Sequence, residues 1–424
     1  MKSELAAHFR DEFAQEWPRV VGAVLRSFGD LELAEDSAQE AFLRAHERIA
    51  SGESINNLGA WVTTSARRIA IDSLRRDTVL RAKLPLLLPE DSTGASVGAD
   101  SGVDDDAATA RLELIFVACH PVLSEEQQVA LALRIVCGIP TVNIADFFGL
   151  PEATIAARLT RARKAVARAG VPFEWPTEAD RAARLTYVLT TIYGIYTLGH
   201  TAPRGPTLID ARLTELALSL ADSMEAEYPN EREILGLKAL IVLSEARRPA
   251  RIGADGVPIS LADVDRSAWG HQRIREGLAL AAKALPGGGR FALQAGIAGI
   301  HSSAPTWEQT DWASISTLYH GLKRVWPAPV VHLGSIVAQS HRGPTELDQA
   351  AEALRKLSAD ASEDFRRRVY AAIADVEERR GNLAAAVTAV AEAMNGEPNE
   401  ALVRYFRHTK ARLTDELRNS DNAH

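Results

Sequence analysis

The residues best suited to chemistry in this chain are five basic side chains within 158–168, a stretch that holds no acidic residue. At about 100° per residue, an apolar packing stripe lies on one side of the predicted helix, with every member within about 40° of Ile155. That stripe is Ile155, Leu159, Ala162 and Val166. The opposite arc carries Thr154, Ala157, Arg158, Arg161, Lys164 and Arg168. Arg163 belongs to neither face. An exposed helical face usually mixes both signs of charge, so the pattern favours DNA contact over a solvated charged face.

The segment before this helix supports the same interpretation. "TVNIADFFGLP" predicts a short helix with Ile144, Phe147 and Phe148 inward, followed by Gly149 and Pro151 at a turn. A helix, a tight turn and a helix with one basic face form a helix-turn-helix. Small residues near the start of the second helix then read bases, and the arginines bind phosphates.

A second basic helix is predicted at 61–76, "WVTTSARRIAIDSLRR". Asp72 lies four residues after Arg68 and three before Arg75, so phosphate contact and an intrahelical salt-bridge network are equally natural uses of the segment. Trp61 can stack on a base, although a tryptophan at such a position more often belongs to the hydrophobic core. The candidate DNA contacts here are Trp61, Arg67, Arg68, Arg75 and Arg76.

The stretch 30–48, "DLELAEDSAQEAFLRAHER", predicts a helix whose inner face is made of alanines and Phe42. Its outer face is acidic with one leucine at the edge. Such a face favours docking on a basic protein partner over plain exposure to solvent. The outer residues are Glu32, Glu35, Asp36, Gln39 and Leu43.

The composition predicts an all-α protein. The chain has 424 residues, 6% aromatic residues, abundant Ala and Leu, and a net charge of −8, so a nucleic-acid partner must be met by a local patch. One small hairpin is expected around Asp255-Gly256. Two-helix repeats of the tetratricopeptide type are indicated at 213–243 and 369–401.

Four segments separate by composition. The stretch between the two basic regions holds two basic and six acidic residues among many Gly, Ser and Pro, and is predicted to be a flexible linker. The predicted segments are a helical domain at 1–80, the acidic linker at 81–110, a compact helix-turn-helix domain at 111–172, and a large helical domain at 177–424.

Several other groups of residues are weaker candidates for a functional site. Cys119, His120 and Cys137 fit no common zinc spacing and are predicted to be core residues, so no metal or cofactor is expected. "PGGGR" at 286–290 lacks the Lys-Ser/Thr of a P-loop and favours a helix connector. A further group can line a ligand pocket or, more naturally, form a salt-bridge network that caps a helix. Its members are Asp263, Asp265, Arg266 and Trp269.

The two cysteines suit a reducing compartment, and the charged N-terminus is unlike a signal peptide. No apolar run approaches the ~20 residues of a membrane span. The sequence therefore predicts a cytoplasmic protein with no membrane contact.

In this order and spacing, the three motifs resemble a bacterial RNA polymerase sigma factor of the extracytoplasmic-function group, over about residues 9–170. The resemblance implies that Glu35, Asp36, Gln39 and Leu43 bind the polymerase clamp helices. It also implies that the helix at 61–76 meets the downstream promoter element, and that the helix-turn-helix reads the upstream one. The loop at 51–59 is a candidate pocket for a flipped base, or a plain surface connection.

The rest of the chain is similar to the subgroup whose long tetratricopeptide-like extension is thought to act in regulation. The shared segments are "HP" at 120–121, "ARRPARIGADG" at 246–256, "DVDRSAW" at 263–269 and "LQAGIAGIH" at 293–301. The chain departs from the pattern at Asn143, where a glutamate is usual. In "YGIYTLGHTA" (193–202), Thr197, Leu198 and His200 replace the usual Asn, Glu and Tyr.

The resemblance implies promoter recognition and strand opening with core polymerase, and no enzymatic activity. We also expect an intramolecular contact between the extension and the two front domains. The alternative is a helix-turn-helix regulator whose helical tail senses a ligand or partner and does not recruit polymerase. The acidic face at 30–48 speaks against it, because such a regulator has no use for that face.

Reversal of charge at Arg158 and Arg161 is predicted to abolish promoter binding and to leave polymerase binding intact, because phosphate contacts need the cations and the polymerase contact does not. A gel shift with holoenzyme measures the first effect and a core-polymerase pull-down the second. Unchanged promoter affinity would contradict the assignment.

Overall fold

The computed structural model describes residues 2–83, 107–170 and 177–421. Within these ranges the regular structure is helical and contains no β-strand, as the composition predicts. The expected hairpin is a turn closed by one antiparallel bridge between Ile252 and Pro258, with Gly256 at φ 75°. The first eight helices are α1 (Lys2–Phe28), α2 (Leu31–Ala50), α3 (Leu58–Lys83), α4 (Ala107–Ala118), α5 (Glu125–Ile135), α6 (Thr141–Phe148), α7 (Glu152–Arg168) and α8 (Glu178–His200).

The chain divides into two compact units. The first unit comprises Met1–Ala145 and Pro151–Gly194, and the second comprises Asp146–Leu150 and Ile195–His424. The later helices all belong to the second unit. They are α9 (Ala211–Glu227), α10 (Arg232–Ala246), α11 (His271–Ala284), α12 (Arg290–Ser303), α13 (Trp312–Val325), α14 (Pro329–Ser340), α15 (Pro344–Ala359), α16 (Glu363–Arg379), α17 (Leu383–Met394) and α18 (Glu400–Asp421).

Local sequence explains where the helices of the first unit begin. Asp30 caps α2 by accepting a hydrogen bond from the Leu33 amide at 3.0 Å. Ser124 and Gln127 form a reciprocal capping box at the start of α5. Gly149, at φ 63°, makes the turn between α6 and α7, a left-handed conformation that glycine adopts without strain. The motif therefore has the helix, turn and helix that the sequence predicts.

The core of the first unit joins the N-terminal helices to the helices after residue 106. Trp17 of α1 is 1% exposed, and its indole Nε1 donates to the main-chain oxygen of Ile135 at 3.0 Å. Phe13 and Phe42 pack against the same ring system. Helix α1 packs on α2, α3 and α4, while α5 packs on α7. The two domains predicted at 1–80 and 111–172 therefore share one core.

Two predicted boundaries fall inside helices. Both ends of the predicted linker are helical, since α3 continues to Lys83 and α4 begins at Ala107; residues 84–106 lie outside the described residues. Residues 177–194, assigned by sequence to the C-terminal domain, belong to the first unit. There Arg184 donates to the main-chain oxygen of Phe116 at 3.0 Å. The sequence carries no break at this point because α8 is one continuous helix.

In the second unit, consecutive helices pack against one another as hairpins. The segment at 369–401 forms such a hairpin, with α16 and α17 joined through Gly381 at φ 76°. The segment at 213–243 forms another, from α9 and α10. This stacking is the arrangement of helical repeat proteins. A specific tetratricopeptide architecture stays a prediction.

Substitution of Gly236 by alanine is predicted to destabilise the second unit by about 1–3 kcal/mol, because the added methyl would overpack a helix crossing. An added Cβ would lie 2.5 Å from the main-chain nitrogen of Ala292 and 2.7 Å from the carbonyl carbon of Phe291, neither of which can turn aside. Thermal unfolding followed by circular dichroism measures the change.

Gly321→Ala is the matched control. It also adds a methyl inside a helix, but its nearest contact is the flexible Leu293 side chain at 3.4 Å. Alanine's higher helix propensity then stabilises by ~0.5–1 kcal/mol. Equal effects of the two substitutions would contradict the packing argument.

Candidate polymerase and nucleic-acid interfaces

Helix α7 has the two faces that the sequence predicts. Ile155, Leu159, Ala162 and Val166 are buried. On the opposite arc, the side chain of Arg158 is only 14% exposed and pairs with Glu126 at 2.9 Å. The remaining predicted DNA contacts on this helix are exposed; they are Thr154, Ala157, Arg161, Lys164 and Arg168.

Arg163, which belongs to neither face, pairs with a residue of the acidic helix. Its Nη2 donates to Glu35 Oε2, and Arg134 Nε of α5 donates to Glu35 Oε1 at 2.7 Å. Glu35 is 2% exposed, so the prediction that it lies on the outer face of α2 is wrong. The reason is a tertiary contact: two guanidinium groups, one from α5 and one from α7, cover the carboxylate. We call this group the Glu35 triad (Glu35, Arg134 and Arg163).

The other outer residues of α2 remain on the surface. Glu32, Asp36 and Gln39 are exposed, and Leu43 is 53% exposed. Partial burial, and next the neighbouring Glu35 charge, raise the pKa of Asp36 above its ordinary value. The acidic surface therefore carries mutual repulsion that a basic partner would relieve.

The arginines of α3 also face solvent. Arg67, Arg68, Arg75 and Arg76 are exposed. Among the described residues, the Asp72 carboxylate makes no salt bridge with Arg68 or Arg75; Arg76 Nε instead donates to the Asp72 main-chain oxygen at 3.2 Å. The geometry thus leaves the guanidinium groups available for phosphate contact.

Trp61 borders an open pocket of about 490 Å³ between α2 and α3. Its ring is half-buried and lies 5.5 Å from the guanidinium carbon of Arg48. Sequence reasoning missed the contribution of α2 to this pocket, although Arg44 and Arg48 stand one helical turn apart in its last two turns. The lining residues are Arg44, Glu47, Arg48, Ser51, Trp61, Ser65 and Arg68.

The cysteines and the "PGGGR" segment, for which the sequence predicts no ligand, have structural roles. Cys119 is fully buried 3.6 Å from the Thr191 hydroxyl, and burial raises the pKa of its thiol to about 12. In the described part of the chain, no three potential metal ligands come together. At "PGGGR", the amides of Phe291 and Ala292 donate to the Glu233 carboxylate at 2.9 and 3.0 Å. The chain's own anion therefore occupies this helix start.

The group at 263–269 forms no salt-bridge network within the described residues. Asp265 caps a short 3₁₀ helix by accepting from the Ser267 amide at 2.9 Å. Arg266 donates to the main-chain oxygen of His301 at 3.1 Å. Asp265 therefore caps a helix without the salt-bridge network that the sequence predicts, because the Arg266 guanidinium binds main-chain oxygens.

Three known families match parts of the chain. Sigma-70 region 2 matches residues 13–79, sigma-70 region 4 matches residues 113–166, and a family of unknown function, DUF6596, matches residues 184–285. The first match contains α2 and most of α3, and the second contains the helix-turn-helix. Among residues 2–83, 107–170 and 177–421, no helix has the length and apolar content that a membrane crossing requires.

Similar proteins include an uncharacterized protein of Rhizobium meliloti, 40% identical over 77% of this chain and 78% of the relative. The RNA polymerase sigma-H factor of Pseudomonas aeruginosa is 27% identical over 36% of this chain and 81% of its own length. The ECF RNA polymerase sigma factor SigW of Bacillus subtilis is 27% identical over 33% of this chain and 77% of its own length. No solved structure matches the chain.

Glu35→Gln is predicted to weaken the contact between α2 and the helix-turn-helix region by ~3 kcal/mol, because two largely buried guanidinium groups lose their shared anion. Hydrogen exchange of the α2 and α7 amides measures the free energy of opening. Glu40→Gln, on the same helix, removes an exposed pair with Arg44 and is expected to cost below ~0.5 kcal/mol. Equal protection in both variants would mean that the Glu35 triad does not hold the contact.

Proposed function

We propose that this chain, which belongs to the extracytoplasmic-function group of sigma-70 RNA polymerase sigma factors, exchanges an internal contact of Glu35 for a contact with core polymerase. The observation that carries the proposal is the burial of Glu35, between two arginines, in the helix predicted to meet the polymerase. The described conformation is then the closed form of the free protein.

The acidic surface of α2 has the chemistry for this exchange. Asp36, Gln39 and Leu43 are exposed beside the Glu35 triad and form the first contact with a basic clamp helix. Arginines or lysines of the polymerase then replace Arg134 and Arg163 on the carboxylate. Because a buried ion pair contributes little net stability, one set of guanidinium groups can be exchanged for another at small cost.

The upstream promoter element is contacted by the exposed face of α7. Ala157 and Thr154, near its start, are small enough for the helix to approach base edges, while Arg161, Lys164 and Arg168 bind phosphates. Arg158 must first leave Glu126. That carboxylate is 65% exposed, so water compensates readily for the lost pair.

The downstream promoter element is contacted by α3 and the pocket at Trp61. A base extruded from the duplex can stack on the half-buried indole, and Arg48 and Arg68 at the pocket wall can hold the adjoining phosphates. Arg67, Arg75 and Arg76 extend the cationic surface along the same helix. The loop at 51–59 contributes Ser51 to the lining.

The large helical unit that follows acts, in this proposal, as a regulator of the sigma domains through an intramolecular contact. We expect the protein to work in the cytoplasm with core polymerase and promoter DNA, and to catalyse no reaction of its own. The matches to both sigma regions support this function over that of a regulator that never recruits polymerase.

Arg163→Gln is predicted to raise the affinity of the free protein for core polymerase by about tenfold, because the closed form loses one of its two pairs and the competent fraction increases. Fluorescence anisotropy with labelled protein and core polymerase measures the dissociation constant.

Arg161→Gln is the matched control, with the same change two residues away on the exposed face of α7. It should leave polymerase affinity unchanged and weaken promoter binding by the holoenzyme. An unchanged polymerase affinity for Arg163→Gln would refute the proposed exchange of the Glu35 contact. Unchanged promoter binding by Arg161→Gln would refute the role of α7.

A further inference from the structure

The second unit contains an internal group of cations at the end of α10, separate from the sigma regions. We call it the arginine cluster (Arg247, Arg251 and Arg266). Four segments singled out in the sequence meet there, although they are far apart along the chain. They contribute Tyr196 and His200 from 193–202, Arg247 and Arg251 from 246–256, Arg266 and Trp269 from 263–269, and His301 from 293–301.

Hydrogen bonds to main-chain atoms hold the cluster in place. Arg251 Nη1 donates to the main-chain oxygen of His200 at 2.8 Å and to its ring Nδ1 at 3.1 Å. Arg266 Nη1 donates to the main-chain oxygen of His301 at 3.1 Å. The Gly270 amide donates to the Ala246 oxygen at 2.8 Å, which brings the 3₁₀ segment against the end of α10. These contacts use carbonyl oxygens. The carboxylates of Glu245 and Glu308 act on Arg251 and Arg266 only through longer-range attraction, without an ion pair among the described residues.

The carboxylate nearest in sequence, Glu245, forms its ion pair outside the cluster and only attracts Arg251 at longer range. Glu245 is engaged by Arg248 at 3.0 Å and accepts from the hydroxyls of Tyr196 and Thr214, each at 3.3 Å. Burial lowers the pKa of Arg247 to about 10, and repulsion from Arg251 and Arg266 contributes to the shift. No ion pair of Arg247 is present among the described residues. An arginine that stays charged without an anion is costly to bury.

Both histidines at the cluster are neutral near pH 7. Burial, and then Arg251 and Arg247, lower the pKa of His200 to about 3. Burial, followed by Arg247 and Arg266, lowers the pKa of His301 to about 4. The positive potential therefore comes from the guanidinium groups alone.

Buried hydrogen-bond donors remain around the same point. Arg247 Nε, Arg266 Nη2 and Trp269 Nε1 have no partner among the described residues. Trp269 is 4% exposed, and its ring lies 4.9 Å from the Arg266 guanidinium carbon. These three atoms can donate and cannot accept. A complementary ligand must therefore bring several acceptor oxygens and negative charge.

We propose that the arginine cluster binds the phosphate group of a small molecule. Phosphate offers more acceptor oxygens than a carboxylate and a charge near −2, which matches three guanidinium groups that form no ion pair among the described residues. The indole Nε1 of Trp269 and the Arg247 Nε then donate to oxygens of the same group. The site goes beyond the sigma function and would give the C-terminal unit a chemical input of its own.

Aromatic rings continue the site beside His301. The Trp307 ring is nearly parallel to the imidazole at a centroid distance of 6.2 Å, and the Trp312 ring stands edge-on to both. These rings already stack on planar side chains, Trp307 on His301 and Trp312 on His341 at 4.0 Å, and the planar ring of a ligand can be held in the same way. Phosphate on a ring-bearing molecule is thus one source of the ligand, and free phosphate is the other.

Isothermal titration calorimetry on the full-length protein at low chloride tests the site with inorganic phosphate and with AMP. Binding of either supports the proposal; tighter binding of AMP assigns the ligand to ring-bearing phosphates, and equal affinity assigns it to free phosphate. Absence of binding by both probes would overturn it. Displacement of phosphate by duplex DNA would overturn the assignment to a small molecule.

Arg247→Gln is expected to weaken binding of the better probe at least tenfold, and Arg247→Lys to recover most of that loss through its charge. Arg275→Gln is the control, because Arg275 is an exposed arginine of α11. Equal affinity in wild type, Arg247→Gln and Arg275→Gln would overturn the site.

A melting temperature measured without ligand separates binding from a structural role. Removal of an unbalanced buried cation should leave the melting temperature of Arg247→Gln unchanged or higher, and the phosphate-dependent rise seen in wild type should disappear. A lower melting temperature together with a preserved phosphate-dependent rise would mean that Arg247 is structural only. None of these measurements involves polymerase, so they remain informative if the proposed function fails.

Discussion

One carboxylate shared by two arginines sets the arrangement of the first unit. Glu35 is nearly inaccessible to solvent and is held by Arg134 and Arg163, which come from helices about a hundred residues further along the chain. An isolated carboxylate in that position would be expensive, so α2, α5 and α7 must keep this geometry together. Of the face predicted to meet a protein partner, Glu35 is therefore already paired with the chain's own cations, while Asp36, Gln39 and Leu43 stay exposed.

Local patterns were enough to predict most of the helical architecture. The apolar stripe of α7 is buried as expected, because the 3.6-residue period depends only on neighbouring positions. The same wheel analysis set Arg163 apart from both faces, and the structure gives it a tertiary partner. The pattern could not identify that partner, since no periodicity within one helix encodes a contact with a helix distant in sequence.

The errors share this cause. Glu35 has the spacing of a surface residue on α2, and only the fold brings Arg134 and Arg163 over it. The first unit ends at Gly194, inside α8 and past the boundary expected near residue 177, and the first part of α8 contacts α4 through Arg184. The pocket at Trp61 needs Arg44 and Arg48 from another helix. A site formed by two helices cannot be predicted from the composition of either segment alone.

The two kinds of charge in the first unit also respond differently to ionic strength. The exposed cations of α7, such as Arg161 and Lys164, act across solvent, where mobile counterions screen them within about 8 Å at physiological salt. The Glu35 carboxylate is excluded from that solvent, so its pairs are screened far less. Under the proposed function, a rise in intracellular salt concentration would then weaken DNA binding by α7 and leave the Glu35 triad intact, which favours the closed form.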